Sequence, residues 1–288
     1  MRLLSLLAAL CVVGAARAEP PRAPRTALKV CADPHSLPSS NRDGQGYENK
    51  IAELFGRKLG LPVTYEWFPQ RLGFIRNTLT NNDTEDGSYR CDLVMSVTEQ
   101  FDMAAPTRPY MRSAWAMVYV KGRGLDFIQS QDDLVNLTPA QRESLRIGIF
   151  DKGPATDWVA QNDLMDRATP FQSMTGDTQE SPGKVIERDL IEDRVNLTFV
   201  WGPIAGYYAQ QAKAHGVEVA VIPLRNEPGM RFDFQIAMAV RHPDKAWKAE
   251  VNRLIADNQA EIDTILRSFG VPLLPLMVRE DSGDDDDD

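Results

Sequence analysis

The side chains best suited to acid–base chemistry lie in polar stretches that follow short apolar segments. They are Asp33, His35, Glu48, Glu99 and Asp102. Acid–base catalysis needs two such groups held at a set distance with separated pKa values, and the sequence contains no pair at a diagnostic spacing. The simpler interpretation is structural: Asp33 shapes a loop through an Asx turn, and Glu48 favours the first turn of a helix. We therefore favour a protein that is not an enzyme, with a dehydratase-like enzyme as an alternative.

Motifs for metal, phosphate and nucleophilic chemistry are absent from the sequence. The three histidines, His35, His215 and His242, are far apart, and none is followed by a Cys or His three or four residues later. The sequence has no HExxH, no GxSxG and no glycine-rich phosphate loop, and GQG at 44–46 is too short for a dinucleotide fingerprint. The sequence therefore predicts no metal and no cofactor.

Arginine and aromatic side chains near the same segments indicate binding. Arg71 follows a predicted strand, where its guanidinium can hold a carboxylate in bidentate fashion or cap a surface loop, and both interpretations stay open. Large rings make strong contacts at pockets and interfaces, and Tyr47 and Phe101 lie on predicted loops. The full set of predicted cleft or partner-binding residues is Asp33, His35, Tyr47, Glu48, Arg71, Phe74, Thr98, Phe101, Asp102, Arg112, Thr156 and Trp201.

Segment 28–61 is the element that must position most of these residues. It opens with LKVCA, typical of a buried strand, continues through a loop rich in Pro, Ser, Asn, Asp and Gly, and ends in an amphipathic helix. A second strand at 63–68, a helix from about Arg71 and a third strand at 91–97 follow. This β-α-β-α-β order predicts a parallel sheet. Ligands bind such sheets at the carboxyl ends of the strands, here 33–47, 67–71 and 96–102.

A second β-α-β pattern follows the β-rich run 114–122, which is long enough to pass from one lobe to another. Its predicted strands are 145–150, 197–203 and 217–224, and its predicted helices include 182–194 and 205–216. A last strand at 232–241 precedes one long amphipathic helix, or a broken pair, that stops at Gly270. The chain thus passes from the first lobe to the second near residue 115 and returns near residue 224. These two passages predict a discontinuous first lobe, 27–115 plus 224–280, around an inserted second lobe, 116–223. Such lobes close on a ligand like a hinge.

The first 18 residues have the features of a signal peptide. Arg2 precedes an apolar core that is too short to span a bilayer, and an A-x-A site ends at Ala18. We expect export to the periplasm, cleavage after Ala18 and a mature protein that starts at Glu19 without Cys11.

The net charge of −9 argues against binding to nucleic acid or anionic lipid and favours a basic or metal-bearing partner. Five Asp residues end the chain, and we predict a disordered acidic tail at 281–288. No later segment is apolar enough to predict membrane insertion.

Cleavage leaves two cysteines, Cys31 and Cys91, on predicted strands one and three. An oxidising compartment favours a disulfide between them. Neighbouring parallel strands are a difficult place for such a bond, because its Cα separation and dihedral angle are narrowly limited. A disulfide and two buried thiols therefore both stay open.

Several of these segments together resemble a known family. CADP, NRDGQGYENKIAEL, WFPQRLGFIRNTL, CDLVMSV and PYMRSAW are similar to type II periplasmic solute-binding proteins, and most similar to the XoxJ/MxaJ branch associated with quinoprotein (PQQ-dependent) methanol dehydrogenases. QRLGFIRNTL with PYMRS is specific to that branch, and the resemblance covers nearly all of the mature chain. It implies an α/β fold of two lobes, each a mostly parallel sheet flanked by helices, with a cleft between the lobes.

The resemblance also implies that the amino-acid site of other family members is missing. Amino-acid-binding members carry T-x-x-R at the end of strand three and an Asp after the last inner strand of lobe two. The matching segments here read TEQFD at 98–102 and WGP at 201–203. Without both charges, the site would not offset the cost of desolvating a zwitterion.

The resemblance implies a periplasmic accessory protein that binds a PQQ-dependent methanol or other alcohol dehydrogenase and helps to mature or activate it. The fold alone leaves an alternative, a transporter-associated protein that binds a small polar solute other than a standard amino acid.

Overall fold

The computed structural model describes residues 25–173 and 182–277. The predicted signal peptide, its cleavage site and the predicted acidic tail lie outside these residues. The strands are β1 Leu28–Ala32, β2 His35–Ser36, β3 Ser40–Asn41, β4 Val63–Trp67, β5 Leu93–Thr98, β6 Ala105–Val120, β7 Ile147–Phe150, β8 Ala168–Phe171, β9 Leu197–Trp201, β10 Val219–Pro223 and β11 Asp233–Val240. The α-helices are α1 Tyr47–Leu59, α2 Phe74–Asn77, α3 Asp132–Val135, α4 Pro139–Ser144, α5 Pro154–Gln161, α6 Gly202–Ala214, α7 Lys245–Asp257 and α8 Gln259–Ser268. A 3₁₀ helix spans Met165–Arg167 and a π-helix spans Val185–Leu190.

The first half of the fold consists of β1, β4, β5, β11 and the N-terminal part of β6. β1 pairs in parallel with β4 and β5, and β11 pairs antiparallel with both β5 and β6. The strand order is therefore β4-β1-β5-β11-β6. The parallel pairing brings the ends of β1, β4 and β5 to one edge of the sheet, as the β-α-β-α-β pattern predicts.

β6 belongs to both halves. It pairs with β11 from Ala105 to Ala114 and with β9 and β10 from Trp115 to Val120. β7 pairs in parallel with β9 and β8, and these strands form the second half. The lobe boundaries at 115/116 and 223/224 stay a prediction.

Apolar side chains form a core on each face of each half. In the first half, Ile51 of α1 packs with Val30 on one face, and Phe74 and Leu79 pack with Val94 on the other. In the second half, one core surrounds Trp158 and Phe199 and the other surrounds Val118 and Ile186. Among the described helices, none combines the length and the apolar composition that crossing a membrane requires.

Two predicted helices differ from the structure, and a third prediction left two alternatives open. The helix expected from about Arg71 is a single turn, because Gly73 adopts a left-handed φ of 87° just before it and Thr78 leaves the helical region at its end. The segment 182–194 contains a π-helix where a regular helix is expected. Of the two alternatives for the C-terminal helix, the structure has the broken pair, with Asn258 between α7 and α8.

Cys31 and Cys91 are joined by a disulfide, with a Cα–Cα distance of 5.4 Å. The expected difficulty does not arise, because β5 begins at Leu93 and the register pairs Cys31 with Val94. Cys91 thus precedes the strand and approaches Cys31 diagonally.

Residues 271–277, the C-terminal strap, return across β6 and β11. Ser113 Oγ donates to the Pro272 carbonyl at 2.7 Å, and the Leu274 N–H donates to the Arg112 carbonyl at 2.8 Å. The Met277 N–H donates to Gln235 Oε1 at 2.7 Å. The strap therefore lies where β6 changes its pairing partners.

Candidate functional site

A cavity of about 790 Å³, here the β5–α2 cavity, opens at the carboxyl end of β5 beside α2. Four predicted site residues line it together: Arg71, Phe74, Thr98 and Phe101. Arg71 belongs to the segment after β4, Phe74 begins α2, and Thr98 ends β5. The strand ends therefore bring these four residues to one place, as the parallel sheet predicts.

The floor of the β5–α2 cavity is apolar. Phe74, Ile75 and Val97 line it and are each 7% exposed. At its rim, Leu72 is 91% exposed and Met103 is 63% exposed. Exposed apolar side chains that adjoin an apolar cavity are typical of interaction sites.

The rim also carries positive charge. Arg76 lies in the last turn of α2 and is exposed, and the described residues supply no hydrogen bond or ion pair to its guanidinium. The nearby carboxylate of Glu99 is already engaged. It accepts a hydrogen bond from Gln235 Nε2 at 2.9 Å and lies 3.7 Å from Arg231 Nη2. A basic rim on a protein of net charge −9 is suited to an acidic ligand or partner.

Asp33 links the ends of β1 and β4. Its carboxylate accepts the backbone N–H of His35 at 2.8 Å and that of Gln70 at 2.6 Å. This is the loop-shaping role expected for Asp33. His35 itself is exposed.

Glu48 differs from its predicted role as a charged residue at a helix start. It is 5% exposed, and burial, followed by the negative charge of Asp33, raises its pKa to about 8, with a smaller opposing effect of the Ser96 hydroxyl. The carboxyl is therefore largely protonated at neutral pH and does not stabilise α1 as an anion.

Tyr47 was expected on a loop facing the cleft, and this is wrong. It begins α1, is 1% exposed, and packs edge-to-face against Phe269 at a centroid distance of 6.1 Å. Its hydroxyl lies 2.9 Å from Ser39 Oγ. Asn49 Oδ1 accepts the Gly46 N–H and caps the helix, so that Tyr47 is its first residue and not part of the loop. Tyr47 therefore belongs to the core.

Arg112 holds the C-terminal strap instead of lining the β5–α2 cavity. Its guanidinium binds Asp233 through two hydrogen bonds of 3.2 and 2.9 Å, and Nη1 donates to the Pro275 carbonyl at 3.1 Å.

Thr156, Trp201 and Asp102 also lie outside the lining of the β5–α2 cavity. Thr156 Oγ1 donates to the Phe150 carbonyl at 2.5 Å. Trp201 packs edge-to-face with Phe234 at 6.2 Å. Asp102 is exposed, and its carbonyl oxygen lies 3.1 Å from His242 Nε2.

Leu72 and Met103 line the cavity but are not among the site residues predicted from the sequence. Both are large apolar residues within otherwise polar loop sequence, QRLG and FDM, and that isolation is the signal that could have identified them. Among the described residues, no group of three or more His, Cys, Asp or Glu side chains is arranged to hold a metal ion.

Comparison with known proteins identifies the family. No protein-family model matches the sequence. The structure resembles the crystal structure of periplasmic binding protein XoxJ from Methylobacterium extorquens AM1, with a TM-score of 0.68 and 32% sequence identity. The alignment covers 86% of this chain and 100% of XoxJ. The chain belongs to the XoxJ/MoxJ family of periplasmic binding proteins.

Two sequence relatives extend this result. Protein MoxJ of Methylorubrum extorquens is 24% identical over 294 residues, which covers 95% of this chain and 93% of MoxJ. An uncharacterised protein in the cycB 3′ region of Paracoccus denitrificans is 59% identical over 46 residues, 16% of this chain and 55% of that protein. The predicted family resemblance and the type II periplasmic binding protein fold are confirmed, and the relatives indicate the periplasm.

In this XoxJ/MoxJ-family chain, the strand-end position that resembles the T-x-x-R site offers no cation of its own. Thr98 is exposed, Glu99 is bound by Gln235 and Arg231, and Phe101 contributes an aromatic ring. On the other side, a Cβ at Gly202 would come within 2.4 Å of the Ala114 carbonyl oxygen. An acidic side chain therefore has no room there.

Proposed function

We propose that the chain is a periplasmic accessory factor that binds a PQQ-dependent methanol or other alcohol dehydrogenase and assists its maturation or activation. The family relationship supports a role in methanol oxidation. The PQQ belongs to the dehydrogenase, and this chain needs no cofactor for the proposed role.

The observation that carries the proposal is the composition of the β5–α2 cavity. Its floor is apolar, and Leu72 and Met103 stand exposed at its rim. A small polar solute would leave these apolar surfaces without a partner, whereas a protein surface would cover them. The alternative, a transport protein for a small polar solute, rests on the fold alone and gains no support from this cavity.

The mature form of this factor is part of the proposal. It begins at Glu19 after cleavage behind Ala18. Its two lobes, 27–115 plus 224–280 and 116–223, move relative to each other by hinge motion at the two places where the chain passes between them. Intact mass of protein from the periplasm tests the first point, because a retained leader or a lipid on Cys11 would change it.

Deleting the gene and restoring it on a plasmid tests the role itself. We expect cells without the chain to contain dehydrogenase protein of lower specific activity or lower PQQ content, and the plasmid to restore both. Tagged mature chain should also retain the dehydrogenase from the periplasm of methanol-grown cells. Unchanged activity and PQQ content, together with no retained dehydrogenase, would contradict the proposal.

A further inference from the structure

We propose that the β5–α2 cavity and its rim are the docking surface for a segment of the dehydrogenase in which apolar side chains are interspersed with carboxylates. This inference rests on the proposed function and specifies which surface is used and which chemistry it recognises.

The apolar part of the surface is too extended for a small ligand alone. Phe74, Ile75 and Val97 form a buried floor, whereas Leu72 and Met103 project at the rim with 91% and 63% of their surfaces exposed. A molecule confined to the cavity would leave both rim residues in water. A polypeptide segment that places one apolar side chain in the cavity and lays its neighbours on the rim covers all five. Apolar anchors seated in pockets commonly carry most of the binding energy of an interface, and a flexible Met adapts to such contacts.

The charged part of the surface selects acidic neighbours for that anchor. Arg76 is exposed at the rim, and no acidic partner for it is found within 25–173 and 182–277. The Glu99 carboxylate is held by Gln235 and Arg231. Because the chain as a whole has a net charge of −9, an acidic segment is repelled by most of the molecule and attracted at this rim. Charge thereby fixes where the segment docks.

Two other occupants of this surface, the chain's own tail and a second copy of the chain, fit it less well than a segment of the dehydrogenase. The chain's own C-terminal segment, VREDSGDDDDD at 278–288, supplies carboxylates but only one apolar side chain, Val278. A second copy of the chain would bring its own net negative charge to the surface. The tail therefore lacks the apolar anchors that the floor requires, and a second copy is opposed by repulsion between two chains that each have a net charge of −9.

The test uses a short fluorescent peptide of alternating Leu or Phe and Glu, its counterpart with Lys in place of Glu, and the full mature chain. The first test variants replace the apolar rim (Leu72→Ser with Met103→Ser) and reverse the rim charge (Arg76→Glu). The matched apolar control is Val135→Ser with Met165→Ser, two exposed residues outside the cavity lining, at 55% and 46% exposure. The matched charge control is Arg108→Glu, an exposed residue next to Asn252 of α7. Melting curves verify that every variant is folded, and a chain ending at residue 277 tests the tail.

We expect the Glu peptide to bind with a Kd at least about tenfold lower than the Lys peptide. Each test variant should raise the Kd of the Glu peptide about tenfold or more, and each control should change it less than about twofold. Equal binding of the two peptides, no binding of either, or equal losses in test and control variants would overturn the inference. Tighter binding by the shortened chain would show that the acidic tail competes for this surface and would support its selection of acidic segments. A concentration-dependent dimer that is lost in the rim variants would assign the surface to a second copy and overturn the inference.

A parallel titration with purified dehydrogenase separates this inference from the proposed function. If wild type binds the enzyme and the rim variants bind equally well, the docking surface is wrong and the function stands. If the Glu peptide binds as expected and the enzyme does not, the surface recognises acidic apolar segments and the proposed partner is wrong.

Discussion

Gly206 of α6 and Gly270 after α8 are in direct backbone contact. A Cβ placed on Gly206 would lie 1.8 Å from the carbonyl oxygen of Gly270. The rings of Tyr207 and Phe269, the adjoining residues, stack at a centroid distance of 6.2 Å. The second half of the fold is therefore held against the end of α8 and the C-terminal strap at a distance that only glycine permits.

Replacing Gly206 with Ala should destabilise the protein. Within a helix, replacing Gly with Ala normally stabilises the folded state by about 1 kcal/mol, because Ala has the higher helix propensity. Here the new methyl group would clash with the backbone of Gly270, which cannot move away as a flexible side chain could. We expect a loss of roughly 1–3 kcal/mol or more in the free energy of unfolding, as for other overpacked sites. Urea denaturation measures it, with Gln211→Ala on the exposed part of the same helix as control. A gain in stability at Gly206 would show that α6 and the strap are not in contact.

The buried Glu48 should make stability depend on pH. Its folded pKa of about 8 lies above the ordinary value of 4.5, so the folded state keeps a proton that the unfolded state loses. The free energy of unfolding therefore falls as pH rises from about 4.5 to 8, by up to about 1.4 kcal/mol per pH unit. Glu48→Gln should flatten this dependence and make the protein more stable than wild type at pH 8.

Urea denaturation at several pH values between 5 and 8 measures the Glu48 effect. Glu53→Gln is the control, because Glu53 lies on the same helix with its side chain 43% exposed. Parallel curves for wild type and Glu48→Gln would contradict the raised pKa.

The disulfide between Cys31 and Cys91 should contribute strongly to stability. The two cysteines are separated by 60 residues, and closing a loop of that length in the unfolded chain is worth about 4 kcal/mol on the entropic account. The double variant Cys31→Ala with Cys91→Ala should melt at a lower temperature than wild type and should not respond to reductant. If denatured mature protein reacts with thiol reagents as two free thiols, the bond is absent.

Removing Arg112 should destabilise the fold at the C-terminal strap. Arg112 and Asp233 form a bidentate pair with side-chain exposures of 19% and 10%. Arg112→Met leaves the Asp233 carboxylate without its counter-charge, which costs about 3 kcal/mol for a buried pair. Arg253→Met, which breaks the exposed pair with Glu250, should cost less than about 1 kcal/mol. Equal costs in both variants would show that the strap does not depend on the Arg112 pair.

Amino acids should not bind at the strand ends. The carboxylate of Glu99 is already bound by Gln235 and Arg231, and Phe101 lines the cavity with an apolar ring. Neither residue offers a positive charge to the carboxylate of an amino acid. A ligand present at 100 times its Kd adds about 2.7 kcal/mol of stability, which a thermal shift assay detects easily. We expect no shift with any of the standard amino acids at millimolar concentration. A clear shift with one of them would restore the nutrient-uptake interpretation.

Sequence reasoning works well where local pattern and tertiary packing agree. β1 has the predicted bounds, 28–32, and the strands 63–68 and 232–241 differ from β4 and β11 only at their ends. It fails where one tertiary contact decides the local structure. Tyr47 and Glu48 follow a polar, glycine-rich loop, so nothing local shows that Tyr47 packs against Phe269 or that Glu48 is buried within the electrostatic influence of Asp33.

The site is predictable in part for the same reason. Arg71, Phe74, Thr98 and Phe101 meet because parallel strand ends share one edge, a rule that needs only the order of the elements. Leu72 adjoins the left-handed turn at Gly73 that precedes α2, and the guanidinium of Arg112 is paired with Asp233, a residue far along the chain. Contacts of this kind have no signature in a single sequence.

The placement of β11 also constrains the order in which the protein folds. β11 comes from 233–240, yet it lies between β5 and β6 in the sheet. When the chain emerges with its N-terminus first, β5 and the first part of β6 are present before β11. Their edges are then unpaired, which favours mispairing and aggregation. The second half is built from consecutive residues that begin within β6, so it can assemble before β11 is available to pair with those edges. The N-terminal sheet is complete only when nearly the whole chain has been delivered.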